Sequence, residues 1–246
     1  MNSVYQKQYT IEAMHLDCFG RVKPSVLLYF AQEAAGMHCL QLGTDRESLS
    51  KKNLFWAVIR QKVQITRLPQ AGEVITVETW PMPTTRVAYP RSTVAYDEKG
   101  NEVFRAIALW VLMDADSRAM ILPGKSGVEV AGTLRGTELS VPGSIAVQAL
   151  ENCVSRTVGY SELDSNGHMN NTRYLDWICD LLPSGFYAEH PIREFTVCYL
   201  SEAKEAQQIQ LQWQLSDGPA LQVDAHRSKT DVSGGQERVF TAQLLF

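Results

Sequence analysis

Leu16-Asp17-Cys18-Phe19-Gly20 and Leu163-Asp164-Ser165-Asn166-Gly167 share a Leu-Asp-x-x-Gly pattern at an offset of 147 (164 − 17), and what surrounds one surrounds the other. In the first half an alternating segment at 4–14 predicts a strand, and a turn spans Asp17–Lys23. Pro24, suited to the first helical position, opens a helix over 24–42 that is apolar on most faces and so expected to be largely buried. Strands follow at 55–67, 73–81, 86–96 and 103–113, with Asp97-Glu98-Lys99-Gly100-Asn101 as a hairpin turn. The second half repeats the order: a strand near 152–161, a turn at 164–169 and a helix near 171–182. Strands then come at 193–201, 207–215, 220–229 and 237–245, turning at Asp217-Gly218 and Ser233-Gly234-Gly235. A chain patterned in this way folds as two like α+β domains, residues 1–119 and 151–246. The segment 120–150, richer in Gly, Pro and Ser, is the linker.

Bulk properties remove several function classes. With 246 residues the chain can bury a core, and 45% hydrophobic against 20% charged residues is the balance of a globular protein. A net charge of −4 argues against a general nucleic-acid binder, since neutralising phosphates takes concentrated Lys and Arg. No apolar run approaches the ~18 residues of a membrane span. The first residues, Met1-Asn2-Ser3-Val4-Tyr5-Gln6-Lys7, show neither a signal core nor a transit-peptide composition. The five cysteines form no Cys-x-x-Cys pair and suit reduced thiols. A cytoplasmic bacterial protein is the expectation.

The chemistry concentrates in residues 164–180. Asp164, Asn166 and His168 alternate with small or apolar residues just before a helical run begins near Asn171. A carboxylate, an amide and an imidazole thus gather at a helix mouth, where backbone N–H groups and the positive dipole end favour a developing oxyanion. Taken singly, Asn166 also reads as an Asx-turn former, Asn170 or Asn171 as a helix cap, and Asp164 as a brace for the turn. At the 147 offset Phe19 and Arg21 stand where Asn166 and His168 do, so the first half lacks the reactive groups.

The spacing Asp-x-Asn-x-His-x-Asn-Asn-x-x-Tyr resembles the active-site segment of acyl-carrier-protein (acyl-ACP) thioesterases. Leu54-Phe55-Trp56-Ala57-Val58, Arg67-Leu68-Pro69, Gly72-Glu73-Val74, Thr79-Trp80 and Trp110-Val111-Leu112-Met113 are similar, in order, to that family's first half. The resemblance covers nearly the whole chain. It implies a double hot-dog fold, each domain an antiparallel sheet wrapped around a central helix, with the first domain shaping the acyl pocket and the second holding the catalytic residues. Tyr199-Leu200-Ser201-Glu202-Ala203 resembles the family's Tyr-x-x-Glu-Cys, which places Glu202 with Asp164, Asn166 and His168 in the catalytic set. Ala203 departs from the pattern where many relatives have Cys. Cys198, four strand residues from Glu202, lies ~13 Å away along an extended chain. Direct attack by water is therefore favoured over a covalent acyl-enzyme.

The expected reaction is hydrolysis of fatty acyl-ACP to free fatty acid and holo-ACP, without metal or other cofactor. Glu202 and His168 activate the water, the proton acceptor between them remaining open, and Asp164 fixes either His168 or the turn. The acidic carrier calls for a basic patch, for which Lys51, Lys52, Arg60 and Lys62 are candidates. An acyl-CoA thioesterase and a non-catalytic acyl-binding module are the alternatives. Oligomeric state, monomer or homodimer, stays open. Other motifs fail on their own terms. Val232-Ser233-Gly234-Gly235-Gln236 has no nucleotide loop to accompany it, and Gly124-Lys125-Ser126 has Ala119 where a phosphate loop needs its first Gly. No Gly-x-Ser-x-Gly elbow occurs, and Met169 occupies the Gly position of a calcium loop. His15, His38, His190 and His226 show no metal spacing.

Overall fold

The computed structural model describes residues 3–146, 149–228 and 235–246. It divides into two compact units, Met1–Pro142 and Gly143–Phe246. In the first, β1 (Tyr5–Thr10) leads through a 3-10 turn (Ala13–His15) to α1 (Pro24–Leu42) and α2 (Arg46–Ser50). The strands β2 (Leu54–Ile65), β3 (Val74–Pro81), β4 (Tyr89–Asp97) and β5 (Glu102–Asp114) follow, then β6 (Met120–Ile121) and α3 (Pro123–Ser126). The strands pair antiparallel in the order β1-β3-β4-β5-β2, with β6 against the end of β5. The second unit runs β7 (Asn152–Thr157), a 3-10 turn (Tyr160–Glu162), α4 (Asn171–Cys179), α5 (Ser184–Glu189), β8 (Glu194–Tyr199), β9 (Gln208–Ser216), β10 (Ala220–Ser228) and β11 (Gln236–Leu245). Its antiparallel order, β7-β9-β10-β11-β8, is that of the first unit strand for strand. Each unit is an antiparallel sheet around one principal helix, the hot-dog arrangement, so the fold is a double hot dog of class α+β.

Local chemistry sets the boundaries. Pro24 opens α1, and Gly43, at φ 68°, closes it in the left-handed conformation with its neighbour Thr44 donating to Cys39 O. Asp45 then caps α2, accepting the N–H groups of Glu47 and Ser48. Both initial strands stop short of the alternation at 4–14 and 152–161, because a 3-10 turn intervenes. Glu12 N–H donates to His15 Nδ1 at 3.1 Å, and Gly159 N–H donates to Glu162 Oε2 at 2.8 Å. The helix expected at 171–182 ends at Cys179. Pro183 disfavours helical backbone at Leu182, and a separate α5 begins beyond it.

The core lies between helix and sheet. In unit 1, Leu27, Leu28, Phe30, Ala34 and Ala35 of α1 are buried, as are Val63, Ile75, Val77, Phe104 and Ile107 of the strands. Contrary to the expectation for 24–42, α1 is not buried all round: Tyr29, Met37 and Leu40 are exposed, since the sheet covers only one side. In unit 2 the shorter α4 buries Tyr174, Leu175, Trp177 and Ile178. The part of 120–150 that precedes Gly143 is docked on unit 1. Thr133 N–H donates to Pro81 O at 2.9 Å, Trp80 Nε1 donates to Glu138 Oε1 at 3.1 Å, and Arg135 pairs with Glu78 at 2.6 Å. The turn at Asp217-Gly218 joins β9 to β10; of the other expected turn, residues 233 and 234 lie outside the described residues.

Candidate active site

Asp164 organises the turn ahead of α4. Its Oδ1 accepts the N–H groups of Asn166 at 2.8 Å and His168 at 3.3 Å, while Oδ2 accepts Asn166 Nδ2 at 3.3 Å. Its own N–H donates to His168 O at 2.7 Å. Asp17 does the same in unit 1, accepting Phe19 N–H at 2.8 Å and Arg21 N–H at 2.9 Å. Gly20 and Gly167 close the two turns at the same φ of 75°, a left-handed geometry that favours glycine. Of the two roles open for Asp164, bracing the turn is the one its hydrogen bonds display, because they reach the backbone and Asn166 rather than the imidazole.

The turn is then stitched to residues 202–204. Met169 N–H donates to Ala203 O at 2.8 Å, and His168 bridges to Lys204. These contacts bring His168 Nε2 to 3.3 Å from Glu202 Oε2. His168 is 18% exposed and Glu202 is 42% exposed, so the pair opens to water on the carboxylate side. Asp164, Asn166, His168 and Glu202 therefore converge on one place, with Asp164 as support.

Helix α4 begins at the same point. Asn170 caps it, its Oδ1 accepting Thr172 N–H at 3.0 Å. The N–H groups of residues 166–170 all have acceptors within the turn, on Ala203 or on Glu162. The first amide of the helix, that of Asn171, has none among the described residues. It is the backbone donor available to an oxyanion at the positive end of the dipole. Beneath the helix start, Tyr199 OH donates to Asn171 O at 3.0 Å, and Tyr174 sits edge-on to Tyr199 and Phe240 at 5.4 and 5.0 Å. Burial pushes both tyrosine hydroxyls above their ordinary value, so they stay protonated hydrogen-bonding groups.

Sequence reasoning missed Arg227. On β10, its Nη1 donates to Glu202 O and to Gln207 Oε1, and its remaining nitrogens pair with Glu237 at 2.8–2.9 Å. It holds the backbone that presents Glu202. Nothing near it in the sequence marks this, because register across β9, β10 and β11 creates the contact. Ala203 is fully buried, and Cys198 Sγ is engaged with Gly143 O at 3.8 Å, so neither position offers His168 a thiol. Among the described residues no cluster of three His, Cys, Asp or Glu is arranged to hold a metal ion. Of the basic candidates, Lys51 pairs with Glu47 at 3.0 Å, Lys52 donates to Gly127 O at 3.0 Å, and Arg60 donates to Pro142 O at 3.1 Å.

Comparison with known proteins identifies the family. Residues 2–122 match the acyl-ACP thioesterase N-terminal domain, and residues 149–239 match the acyl-ACP thioesterase C-terminal domain. A palmitoyl-acyl carrier protein thioesterase of Gossypium hirsutum is 26% identical over 232 residues, covering 87% of this chain and 55% of the relative. A dodecanoyl-ACP hydrolase of Cinnamomum camphora is 24% identical over 217 residues, covering 81% of this chain and 52% of the relative. The chain thus spans about half the length of these plant relatives. In fold, an acyl-ACP thioesterase from Bacteroides thetaiotaomicron superposes with a TM-score of 0.88 at 24% identity, covering 99% of this chain and 98% of the other. The 12:0-ACP thioesterase of Umbellularia californica superposes at 0.82 and 20% identity, covering 100% and 97%. With family domains matched along most of its length, the chain belongs to the acyl-ACP thioesterase family.

Proposed function

We propose that the protein hydrolyses the thioester of fatty acyl-ACP, releasing free fatty acid and holo-ACP. The observation that carries this reading is the His168–Glu202 pair at the mouth of α4, beside Asn166. Glu202 and His168 orient a water and take its proton as the oxygen attacks the thioester carbonyl carbon. Charge gathers on the carbonyl oxygen, where the Asn171 N–H and the Asn166 amide stabilise it; one such donor is typically worth about 3 kcal/mol. The tetrahedral intermediate collapses, the C–S bond breaks, and the proton passes to the departing phosphopantetheine sulfur. A positioned base contributes ~10²–10⁴ in rate. The chemistry consumes only water. The carrier is acidic, and Lys62 together with the outward faces of Lys51 and Lys52 supplies charge for it.

The deciding experiment measures thiol release from one long-chain acyl group presented on ACP and on CoA, with His168→Ala and Glu202→Gln as controls. Faster turnover of acyl-ACP, lost in both variants by a factor of ~10² or more, is expected. Preference for CoA would make the protein a general acyl-CoA thioesterase. Acyl binding without turnover on either carrier would leave only a binding module.

A further inference from the structure

The interior of unit 1 is not a plain hydrocarbon lining. Gln61, Ala108 and Arg91 stand opposite one another across β2, β5 and β4, and Ala106 pairs with Thr93 two residues on, on the same face. Ala31 and Ala35 of α1 face this band, and the four alanines leave a small void large enough for one water-sized group. Trp110 Nε1 and Gln32 Oε1, both on residues lining the void, are buried without a hydrogen-bond partner. Arg91, a residue only 7% exposed, lines it too, and its guanidinium meets no carboxylate: its partners are His38 Nδ1 at 3.1 Å, Thr79 Oγ1 at 3.5 Å and Cys39 Sγ at 3.8 Å. An unpaired donor, an unpaired acceptor and a cation without a carboxylate are each costly to bury, and here they border the same space.

We propose that this void is a subsite for a hydroxyl carried on the acyl chain. The hydroxyl oxygen accepts Trp110 Nε1–H, its proton is donated to Gln32 Oε1, and Arg91 faces the oxygen with positive charge. A methyl or methylene group in the same place would leave Trp110 Nε1 and Gln32 Oε1 without partners and bring no acceptor to Arg91. The site therefore selects an oxygenated chain and turns away an unsubstituted one long enough to reach it. That the hydroxyl arrives on an acyl chain rests on the function proposed above; the polar subsite itself does not.

The test is displacement of a fluorescent fatty-acid probe by dodecanoic acid and by a series of monohydroxydodecanoic acids bearing the hydroxyl at successive carbons. The same chains on ACP are assayed for turnover. One isomer is expected to bind about tenfold more tightly than the parent acid, a gain of the size two net hydrogen bonds supply. Gln32→Leu and Trp110→Phe should each erase that gain while leaving dodecanoate binding in place. Gln32→Leu exchanges a side chain with an unpaired amide oxygen for an apolar group of similar volume, so it tests the proposal even if Trp110→Phe fails to fold. If no isomer outbinds the parent, or if the gain survives both variants, the void holds an ordered water only and the proposal falls. A hydroxyl preference in binding without thioester hydrolysis would keep the subsite and remove the proposed activity. Hydrolysis without a hydroxyl preference would do the reverse.

Discussion

Asp17 and Asp164 make the same backbone hydrogen bonds, yet only one of their turns presents an imidazole. In unit 1 the corresponding position is Arg21, which pairs back to Asp17 at 3.3 Å and lies over the Phe19 ring. Removing either carboxylate leaves the N–H groups of its turn without their acceptor, so Asp17→Ala and Asp164→Ala should each cost about 1–2 kcal/mol of stability. Only Asp164→Ala should also lower thioester turnover, because only there does the turn carry an imidazole to Glu202, the pair on which the proposed reaction depends. Thermal melts and thiol release on the same pair of variants check this. Comparable losses of activity from both would mean that the turns act through global stability alone. Arg227 is a positioning residue of a different kind. Its fork spans Glu202 O, Gln207 and Glu237, which a single ammonium cannot reproduce. Arg227→Met should reduce kcat by roughly tenfold or more with little change in KM, and Arg227→Lys should not restore it. An effect on KM alone would instead place Arg227 in substrate binding.

At the scale of elements, the two units agree in detail where they cap and turn. Gly72 N–H donates to Ile11 O as Ala206 N–H donates to Val158 O, an offset of 134 (206 − 72). Gly72 has φ 80°, and Ala206 holds the same left-handed region at φ 63°. An alanine there is strained by roughly 1 kcal/mol. Ala206→Gly should therefore raise the melting temperature, against the usual penalty for introducing glycine. The β4–β5 hairpin offers a pH-dependent case. Asp97 is held down to about 2, chiefly by the Asn101 N–H, then by the Asn101 side chain, Arg67 and the Lys99 N–H. Because its folded value lies below the ordinary aspartate range, its contribution is present above about pH 4. That contribution is lost as the pH falls through 2. Asp97→Asn should be less stable than the parent at neutral pH, and the deficit should shrink on acidification through that window; a deficit independent of pH would point to geometry rather than charge. The alternation and punctuation that mark these strands were legible in the sequence, as was Pro24 at the head of α1. The 3-10 turns were not, since Ala13–His15 and Tyr160–Glu162 continue an alternating pattern and depart from strand only through local hydrogen bonds. Asp164, Asn166 and His168 could be read because they are neighbours in the chain. Glu202 needed the family resemblance, and Arg227 and the polar band under α1 arise only from strand register.

Across the whole chain, the repeat keeps its scaffolding and varies what projects from it. Val22 N–H donates to Pro69 O as Met169 N–H donates to Ala203 O, but Leu68 stands where Glu202 does (202 − 134), as Phe19 and Arg21 replace Asn166 and His168. The two units thus differ at three positions of this region, Phe19, Arg21 and Leu68 against Asn166, His168 and Glu202. The family blocks of the first half serve mostly as braces: Trp56 Nε1 donates to Thr44 O at 2.8 Å, Arg67 pairs with Glu73 at 2.7 Å, and the buried Trp80 reaches Glu138. That last contact belongs to the connecting segment, whose composition reads as a loose linker but whose first part is fastened along β3. Gly132 lies close against the backbone just after β3. A Cβ built there would collide with Met82 O and Pro83 N, both backbone atoms that no side-chain rotation can move. Gly132→Ala must then lift the segment, weakening the Thr133–Pro81 hydrogen bond and the Arg135–Glu78 and Trp80–Glu138 contacts together. A loss of about 1–3 kcal/mol follows from overpacking of this kind, with faster tryptic cleavage at Arg135. Gly143→Ala, where an added Cβ finds open space, is the control that should change neither. If Gly132→Ala melts and resists protease like the parent, the segment is held by its side chains and not by this backbone approach.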